Sequence, residues 1–323
     1  MDKPSSSNPA ASMRINGKFK NQQPQKAKSL FAFLKMTREH PFAKWPMWVE
    51  SEYGAKPPER VDDGSAHITV INHSSVLIQT AGYNILTDPV YSERVSPFTF
   101  AGPKRVRNPG LRFEDLPPID VIVVSHDHYD HLDVVTVQRL IERDNPLIYV
   151  GLGVAKHIKN RERVTELDWW ESSSIKDNFS VSFVPTQHFS GRWLFDGDST
   201  LWGGFVLDVG ERKIYFGGDT GYADHFKQTY EQFGAMDIAL IPIGAYAPRS
   251  FMGPVHMDPK QAVQAHIDLH AKRSIGVHYA TFQMTSEPME EPEQLLVVER
   301  AKAGLAEDAF VALPFGQALV IKD

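Results

Sequence analysis

Four strong metal-ligating side chains fall within six residues at His126-x-His128-x-Asp130-His131, directly after the apolar run Asp120-Val-Ile-Val-Val-Ser125. Such a run reads as a strand buried on both faces. Leu132 to Glu142, with Val134, Val135, Val137, Leu140 and Ile141 supplying an apolar face, reads as the helix that follows. The four ligands therefore occupy a loop at the C-terminal end of a strand, where a turn projects alternate side chains inward. Converging on a metal pair requires further ligands at neighbouring strand ends, so this loop constrains the fold more than any other segment.

The 323 residues include 13 histidines and no cysteine. Disulfides, thiol catalysis and thiolate metal sites are thereby removed, leaving imidazole and carboxylate as the strong ligands. That donor set suits zinc, and also iron or manganese. A net charge of −6 and a pI of about 6.1 give no basic field for nucleic acid. No stretch approaches the ~20 apolar residues of a membrane span, and the polar segment Met1 to Lys20 has no secretory h-region, so the expected location is cytoplasmic.

Residues 1–28 are rich in Ser, Asn, Gln, Pro and Lys and are expected to be a disordered tail. Residues 29–66 hold an amphipathic stretch, Ser29 to Met36, and an aromatic, basic one, Phe42 to Trp48. They are expected to dock on the main domain, with a peripheral membrane contact as the alternative. The main domain is expected over 67–323. Short β-branched runs at His67–Ile71, Val76–Thr80 and Tyr83–Thr87 read as a meander. A second block of strands is expected near Val181–Pro185, Leu201–Val209, Lys213–Gly217, Asp237–Ile243, Arg273–His278, Phe310–Leu313 and Ala318–Ile321. Asp258-Pro259 opens a helix as N-cap and first-turn pair. Two strand blocks with interspersed helices imply an α/β protein of two facing sheets with helices outside.

Three further ligands each come first after a β-run. His188 follows Val181-Ser-Phe-Val-Pro-Thr-Gln, Asp219 follows Ile214-Tyr-Phe-Gly-Gly, and His278 follows Ser274-Ile-Gly-Val. All can lie on one edge of the sheets. Singly each would be an ordinary capping or core residue; the order is what distinguishes them.

The order His-x-His-x-Asp-His, His, Gly-Asp-Thr, His resembles the signature of the metallo-β-lactamase superfamily, over roughly residues 67 to 322. The resemblance implies an αββα sandwich of two mixed sheets. It also implies one metal held by His126, His128 and His188, another by Asp130, His131 and His278, and Asp219 shared between them, with two zinc ions as the expected cofactors. Within the superfamily the chain is most similar to the N-acylphosphatidylethanolamine-hydrolysing phospholipase D branch. The runs that carry this are Leu86-Thr-Asp-Pro-Val90, Gly102-Pro-Lys-Arg105, Leu116-Pro-Pro-Ile-Asp120, Glu166-Leu-Asp-Trp-Trp-Glu171, Gly217-Gly-Asp-Thr-Gly-Tyr222, Ile241-Pro-Ile-Gly-Ala-Tyr246 and His256-Met-Asp-Pro259. The branch implies a phospholipid substrate and a homodimer. Two positions depart from its pattern: Asn72-His73-Ser74 stands where a Gly-His-Ala/Ser turn is usual, and Tyr279 follows the last ligand in place of Trp.

Around these ligands, Asp88 in Thr87-Asp-Pro89 is a candidate to orient a ligand histidine, or else an Asx-Pro turn residue. His73 is a candidate neighbour of the metals, or else a structural hydrogen-bonding residue. His256 precedes a helix start, where a phosphate is favoured, and is a candidate phosphate contact or proton donor. By the resemblance it lines the reaction site. Tyr222, Tyr246 and Arg249 are weaker candidates for the same pocket. His157, His225, His266 and His270 fall outside the motif order and are expected to be structural or solvated. The expected activity is metal-assisted hydrolysis of a phosphodiester without a protein nucleophile, with Asp130 and His256 as catalytic residues. The alternatives are a lactonase or other small-molecule ester hydrolase, and a non-enzymatic metal-binding protein. A nuclease is disfavoured by the charge.

Overall fold

In the computed structural model, residues 11–24, 38–193 and 195–322 are described. The first seven-stranded sheet carries the predicted meander, β3 (Ala66–Asn72), β4 (Ser75–Thr80) and β5 (Tyr83–Thr87), followed by β6 (Val121–Val124), β7 (Leu147–Gly151) and β8 (Val164–Leu167), with β16 (Ala318–Ile321) closing against β3. The second, also of seven strands, runs in the order β15 (Phe310–Val311), β14 (Arg273–Val277), β13 (Ile238–Pro242), β12 (Arg212–Phe216), β11 (Gly204–Val209), β10 (Phe179–Val184) and β9 (Ser172–Lys176). Each sheet is mixed: β5, β6, β7 and β8 pair in parallel, as do β12, β13, β14 and β15, and the remaining pairs are antiparallel.

One buried cluster joins the inner faces of both sheets, with Ile68, Val70, Ile78 and Val123 meeting Val181, Phe183, Phe205, Phe216 and Leu240. Alternation along each strand sends the other residues outward. Leu77, Ile122, Val124 and Val150 thus pack on Val137 and Leu140 of α1 (Val134–Asp144), while Tyr215, Ala239 and Ile241 share a cluster with Ala262, Val263 and Leu269. Ala262 and Val263 belong to α4 (Pro259–Asp268) and Leu269 is its C-cap; with α2 (His225–Phe233), the single turn α3 (Arg249–Met252) and α5 (Glu291–Lys302), α4 completes the outer layer. The layers are helix, sheet, sheet, helix, as the sequence implies. Asp258 caps α4, accepting from Gln261 N, with Pro259 in its first turn. On α1 the expected apolar face is narrower, since Val135 is 60 % exposed and Thr136 takes a buried place.

The polar N-terminal stretch departs from expectation. Residues 11–24, assigned by composition to a disordered tail, contain a hairpin of β1 (Met13–Ile15) and β2 (Lys18–Lys20). Its turn is Asn16-Gly17, both at positive φ (51° and 77°), the combination that a two-residue hairpin loop requires. Phe19 enters the inner core at 4 % exposure, and its N–H donates to Asp198 O. The rest of that stretch, 1–10 and 25–28, and the amphipathic run Ser29–Met36 lie outside the described residues. From 38 onward the chain is tied to the sandwich through Val49 N to Val106 O, Gly54 N to Gly110 O and Trp45 Nε1 to Glu287 O.

Candidate metal centre

Every predicted ligand sits just past the C-terminal end of a strand, and the two sheets deliver these ends to one edge of the sandwich. His126 to His131 follow β6, His188 follows β10, Asp219 follows β12 and His278 follows β14. Nitrogens of His126, His128 and His188 form one group within 4.8 Å of one another. Asp130, His131 and His278 form a second, which His73 joins. Asp219 lies between the groups, its Oδ2 3.2 Å from His131 Nε2, 3.0 Å from His278 Nε2 and 3.7 Å from His188 Nε2.

On three of these rings the nitrogen turned away from the cluster is engaged. His131 Nδ1 meets Asp88 Oδ2 at 2.6 Å, His188 Nδ1 meets Val255 O at 3.0 Å, and His126 Nδ1 meets Ser125 Oγ at 2.9 Å. With its Nδ1 proton given to Asp88 or to a carbonyl, a histidine turns a bare Nε2 lone pair inward, the arrangement typical of metal-bound imidazole. His131 Nε2, His278 Nε2 and Asp219 Oδ1 are buried without a hydrogen-bond partner. Acceptor faces acceptor, so the cluster fits a cation. Imidazole and carboxylate oxygen suit zinc, iron or manganese.

Electrostatics say the same. Burial works against the charge of Asp219, but His131 and His278 outweigh it and hold the carboxyl well below the usual carboxylate range. Burial likewise opposes a charge on His278, yet Asp219 and Asp130 raise it to about 9. Without a metal, protons supply the positive charge that the carboxylates demand; a metal displaces them, so its affinity rises with pH. On the other side, burial holds His126 and His188 well below their ordinary range, as neutral donors.

The backbone is bent to build this edge. His73, Asp88 and His278 have positive φ (40°, 32° and 62°), a conformation that costs a non-glycine residue about 1–3 kcal/mol. At Gly218 (φ 53°) a Cβ would lie 2.4 Å from Ser125 Cβ, so only glycine lets the Asp219 loop close on the histidine loop.

The remaining candidates divide. Asp88 is completely buried, with Oδ1 accepting from Ser125 N and Oδ2 from Ser125 Oγ as well as His131, which makes it an orienting residue and more than a turn. His73 places Nε2 3.0 Å from Asp130 Oδ2, while its carbonyl accepts from His278 N. His256 Nδ1 lies 3.9 Å from Asp219 Oδ2, and its ring is 5.1 Å from that of His188. The substrate candidates turn elsewhere: Tyr222 OH donates to Asp268, Tyr246 OH to Glu291 Oε1, and Arg249 to Gln261 Oε1 and His256 O beside Asp258. With their polar ends engaged, they support loops instead of offering free donors.

Three residues beyond the motif also shape the site. Thr281 Oγ1 accepts from His73 N. Asp127, fully buried, accepts from Gly191 N and Thr200 Oγ1 and faces His157 Nε2 at 3.3 Å, tying the histidine loop to the 189–200 loop. Burial opposes its charge, but His157 and the hydrogen bonds hold its pKa at about 2. Asn21, from the N-terminal hairpin segment, bonds both backbone groups of His188. At the rim, Phe189 packs on His128 at 4.6 Å, and Phe98, Phe100, Trp193 and Phe195 stand exposed on the two neighbouring loops. Phe98 links them, 5.6 Å from Phe100 and 6.5 Å from Trp193.

The model of the beta-lactamase superfamily domain matches residues 83–279. The N-acyl-phosphatidylethanolamine-hydrolyzing phospholipase D 1 of Caenorhabditis elegans is 42 % identical over 264 residues, covering 77 % of this chain and 74 % of its own. The mitochondrial enzyme of that activity from Saccharomyces cerevisiae is 34 % identical over 259 residues, 78 % of this chain and 54 % of its own. A metallo hydrolase from Ignicoccus hospitalis superposes with a TM-score of 0.61 at 20 % identity, over 80 % of this chain and 99 % of that one, a likeness of fold.

Proposed function

Since the chain belongs to the metallo-β-lactamase superfamily and resembles its N-acylphosphatidylethanolamine-hydrolysing phospholipase D branch, we propose that it is a two-metal phosphodiesterase of phospholipase D type. The observation that carries this reading is the pairing of two ligand groups through Asp219 in a chain 42 % identical to a named phospholipase D. His126, His128 and His188 would hold one ion and Asp130, His131 and His278 the other, with Asp219 available to both. Zinc is the expected metal, with iron or manganese accepted by the same donors. Two such ions, when bound, lower the pKa of water toward neutrality and supply positive charge to the oxygens of the reacting phosphate.

The substrate is N-acylphosphatidylethanolamine. A water oxygen bonds to phosphorus, the bond from phosphorus to the ethanolamine oxygen breaks, and phosphatidic acid and N-acylethanolamine leave. The departing alkoxide needs a proton, which His256 delivers from its imidazole. Arg249 holds the His256 carbonyl at 2.8 Å and so fixes the loop that carries this ring. Asp130, braced by His73, sets one side of the reacting centre.

Lipid reaches the site from a membrane surface. Among the described residues no helix is long and apolar enough to cross a membrane. The contact is therefore peripheral, made by Phe98, Phe100, Trp193 and Phe195 on the loops beside His128. Placing aromatics in the interfacial layer is favourable, and each ring adds apolar area removed from water.

Incubating the protein with mixed membrane phospholipids, with and without chelator, and identifying products by mass spectrometry tests the reading. Chelator-sensitive release of N-acylethanolamine and phosphatidic acid is expected. Failure on that lipid beside robust turnover of a lactone would move the activity to a carboxyl ester and leave the metal site standing.

A further inference from the structure

His188 lies past the end of β10, one residue beyond the isolated bridge of Gln187 to Gly221, and its own peptide is outside any strand ladder. Its partner is a side chain from the other end of the sequence. Asn21 Nδ2 donates to His188 O at 2.7 Å, and Asn21 Oδ1 accepts from His188 N at 3.1 Å. One planar amide thus holds both backbone groups of one residue, which fixes its rotation as well as its position. The same Oδ1 accepts from the buried Trp202 Nε1 at 3.0 Å, so the amide cannot flip without losing donor and acceptor alike.

Asn21 is itself anchored on both flanks. Before it, Phe19 is sunk in the inner core and its N–H is bonded to Asp198 O. After it, Gln23 O accepts from Gln187 Nε2, and Gln23 Nε2 donates to Asp224. The His188 ring is held from the opposite side by Val255 O, which leaves Nε2 3.4 Å from His128 Nδ1.

We infer that Asn21 is a positioning residue for the metal held by His126, His128 and His188, so that the N-terminal segment 11–24 completes this site from outside the superfamily domain. The inference rests on the reading of His188 as a ligand. Gln187 and Ser190 on either side are bonded to other loops, so what Asn21 adds is the hold on the His188 peptide itself; a ligand whose peptide is not held must be ordered at the moment of binding, and outer partners of ligands are worth about 10–100-fold in metal affinity. Only one of the two ions depends on His188, so the effect is confined to one site.

The test is a zinc titration of the full chain against a competing chelator, with zinc content measured directly, for wild type, Asn21→Ala, Asn21→Asp and His188→Ala. Wild type should bind two ions tightly. Asn21→Ala should weaken one of them about 10–100-fold and leave the other unchanged, following the pattern of His188→Ala. Asn21→Asp, which keeps the acceptor for His188 N and Trp202 but loses the donor, should fall between. Equal weakening of both ions, with a matching fall in Tm, would reduce Asn21 to a general fold contact and overturn the inference. So would unaltered zinc binding by Asn21→Ala beside a one-site defect in His188→Ala. Should His188→Ala itself keep both ions at full affinity, the ligand reading fails first, and the two failures are told apart.

Discussion

Asp88 Oδ2 lies 2.6 Å from His131 Nδ1, and both side chains are completely buried. The contact decides which histidine nitrogen faces the cluster: with Nδ1–H given to Asp88, Nε2 is left bare toward Asp130 and Asp219 at 3.3 and 3.2 Å. Asn tolerates the positive φ at this position, so Asp88→Asn removes charge with little backbone strain. Its affinity for the second metal should drop about 10–100-fold, with secondary structure retained. Chelator competition measures this, and unaltered affinity would make Asp88 a turn residue only.

The buried His225, whose Nε2 is 3.2 Å from Thr220 Oγ1, sets a pH dependence of stability. Burial alone lowers its pKa to about 3, so the folded chain keeps it neutral where the unfolded chain, near 6.5, takes up a proton. Protonation thus favours the unfolded state between those values. The stability is complete above about pH 6.5 and is lost as pH falls toward 3, at up to about 1.4 kcal/mol per pH unit. Urea unfolding of metal-free protein from pH 7 to 4 should show a shallower decline in His225→Gln than in wild type. Parallel slopes would contradict it.

The rim aromatics separate membrane contact from chemistry. Replacing Phe98, Phe100 and Phe195 by Ser should lower binding to phospholipid vesicles at least about tenfold, since burial of each ring is worth about 1.5–3 kcal/mol at most. Hydrolysis of a short-chain soluble phosphodiester should stay within about twofold. Vesicle flotation and a soluble assay read the two effects, and undiminished flotation would move the contact to another surface.

His256 lies outside the seven proposed ligands, so His256→Ala should keep its metal. If the ring supplies the leaving-group proton, the loss should be about 10²–10⁴-fold with a poor alkoxide leaving group and much smaller with a nitrophenolate that needs no proton. Equal loss with both leaving groups would make His256 a phosphate contact instead.

The centre was legible because the order His-x-His-x-Asp-His, His, Gly-Asp-Thr, His resembles that of the superfamily, and because each of these segments comes shortly after a β-run, which places it past a strand end at the sandwich edge. β9 was not: Ser172, Ser173 and Ser174 carry no apolar alternation, and an edge strand beside β10 needs none. β7 and β8 also lie outside the strands expected from sequence, although Leu147–Gly151 is largely buried. The hairpin segment was hidden by its composition, though Asn16-Gly17 between Ile15 and Lys18 is the local signal of a two-residue turn. Nothing local to Asn21 points at His188, 167 residues away. Tyr222 and Tyr246 show the converse. Their position beside the motif was plain, but the direction of their hydroxyls depended on Asp268 and Glu291, each about 45 residues further on.

The most direct test of the two-metal centre is the zinc content of Asp219→Ala measured beside its activity. Asp219 Oδ2 approaches ligands of both groups, His131 and His278 on one side and His188 on the other, so its loss takes a donor from two coordination spheres at once. Wild type should carry close to two ions per chain. Asp219→Ala should lose both together and lose phosphodiester hydrolysis with them. A variant that kept two ions and full activity would contradict the shared-ligand centre.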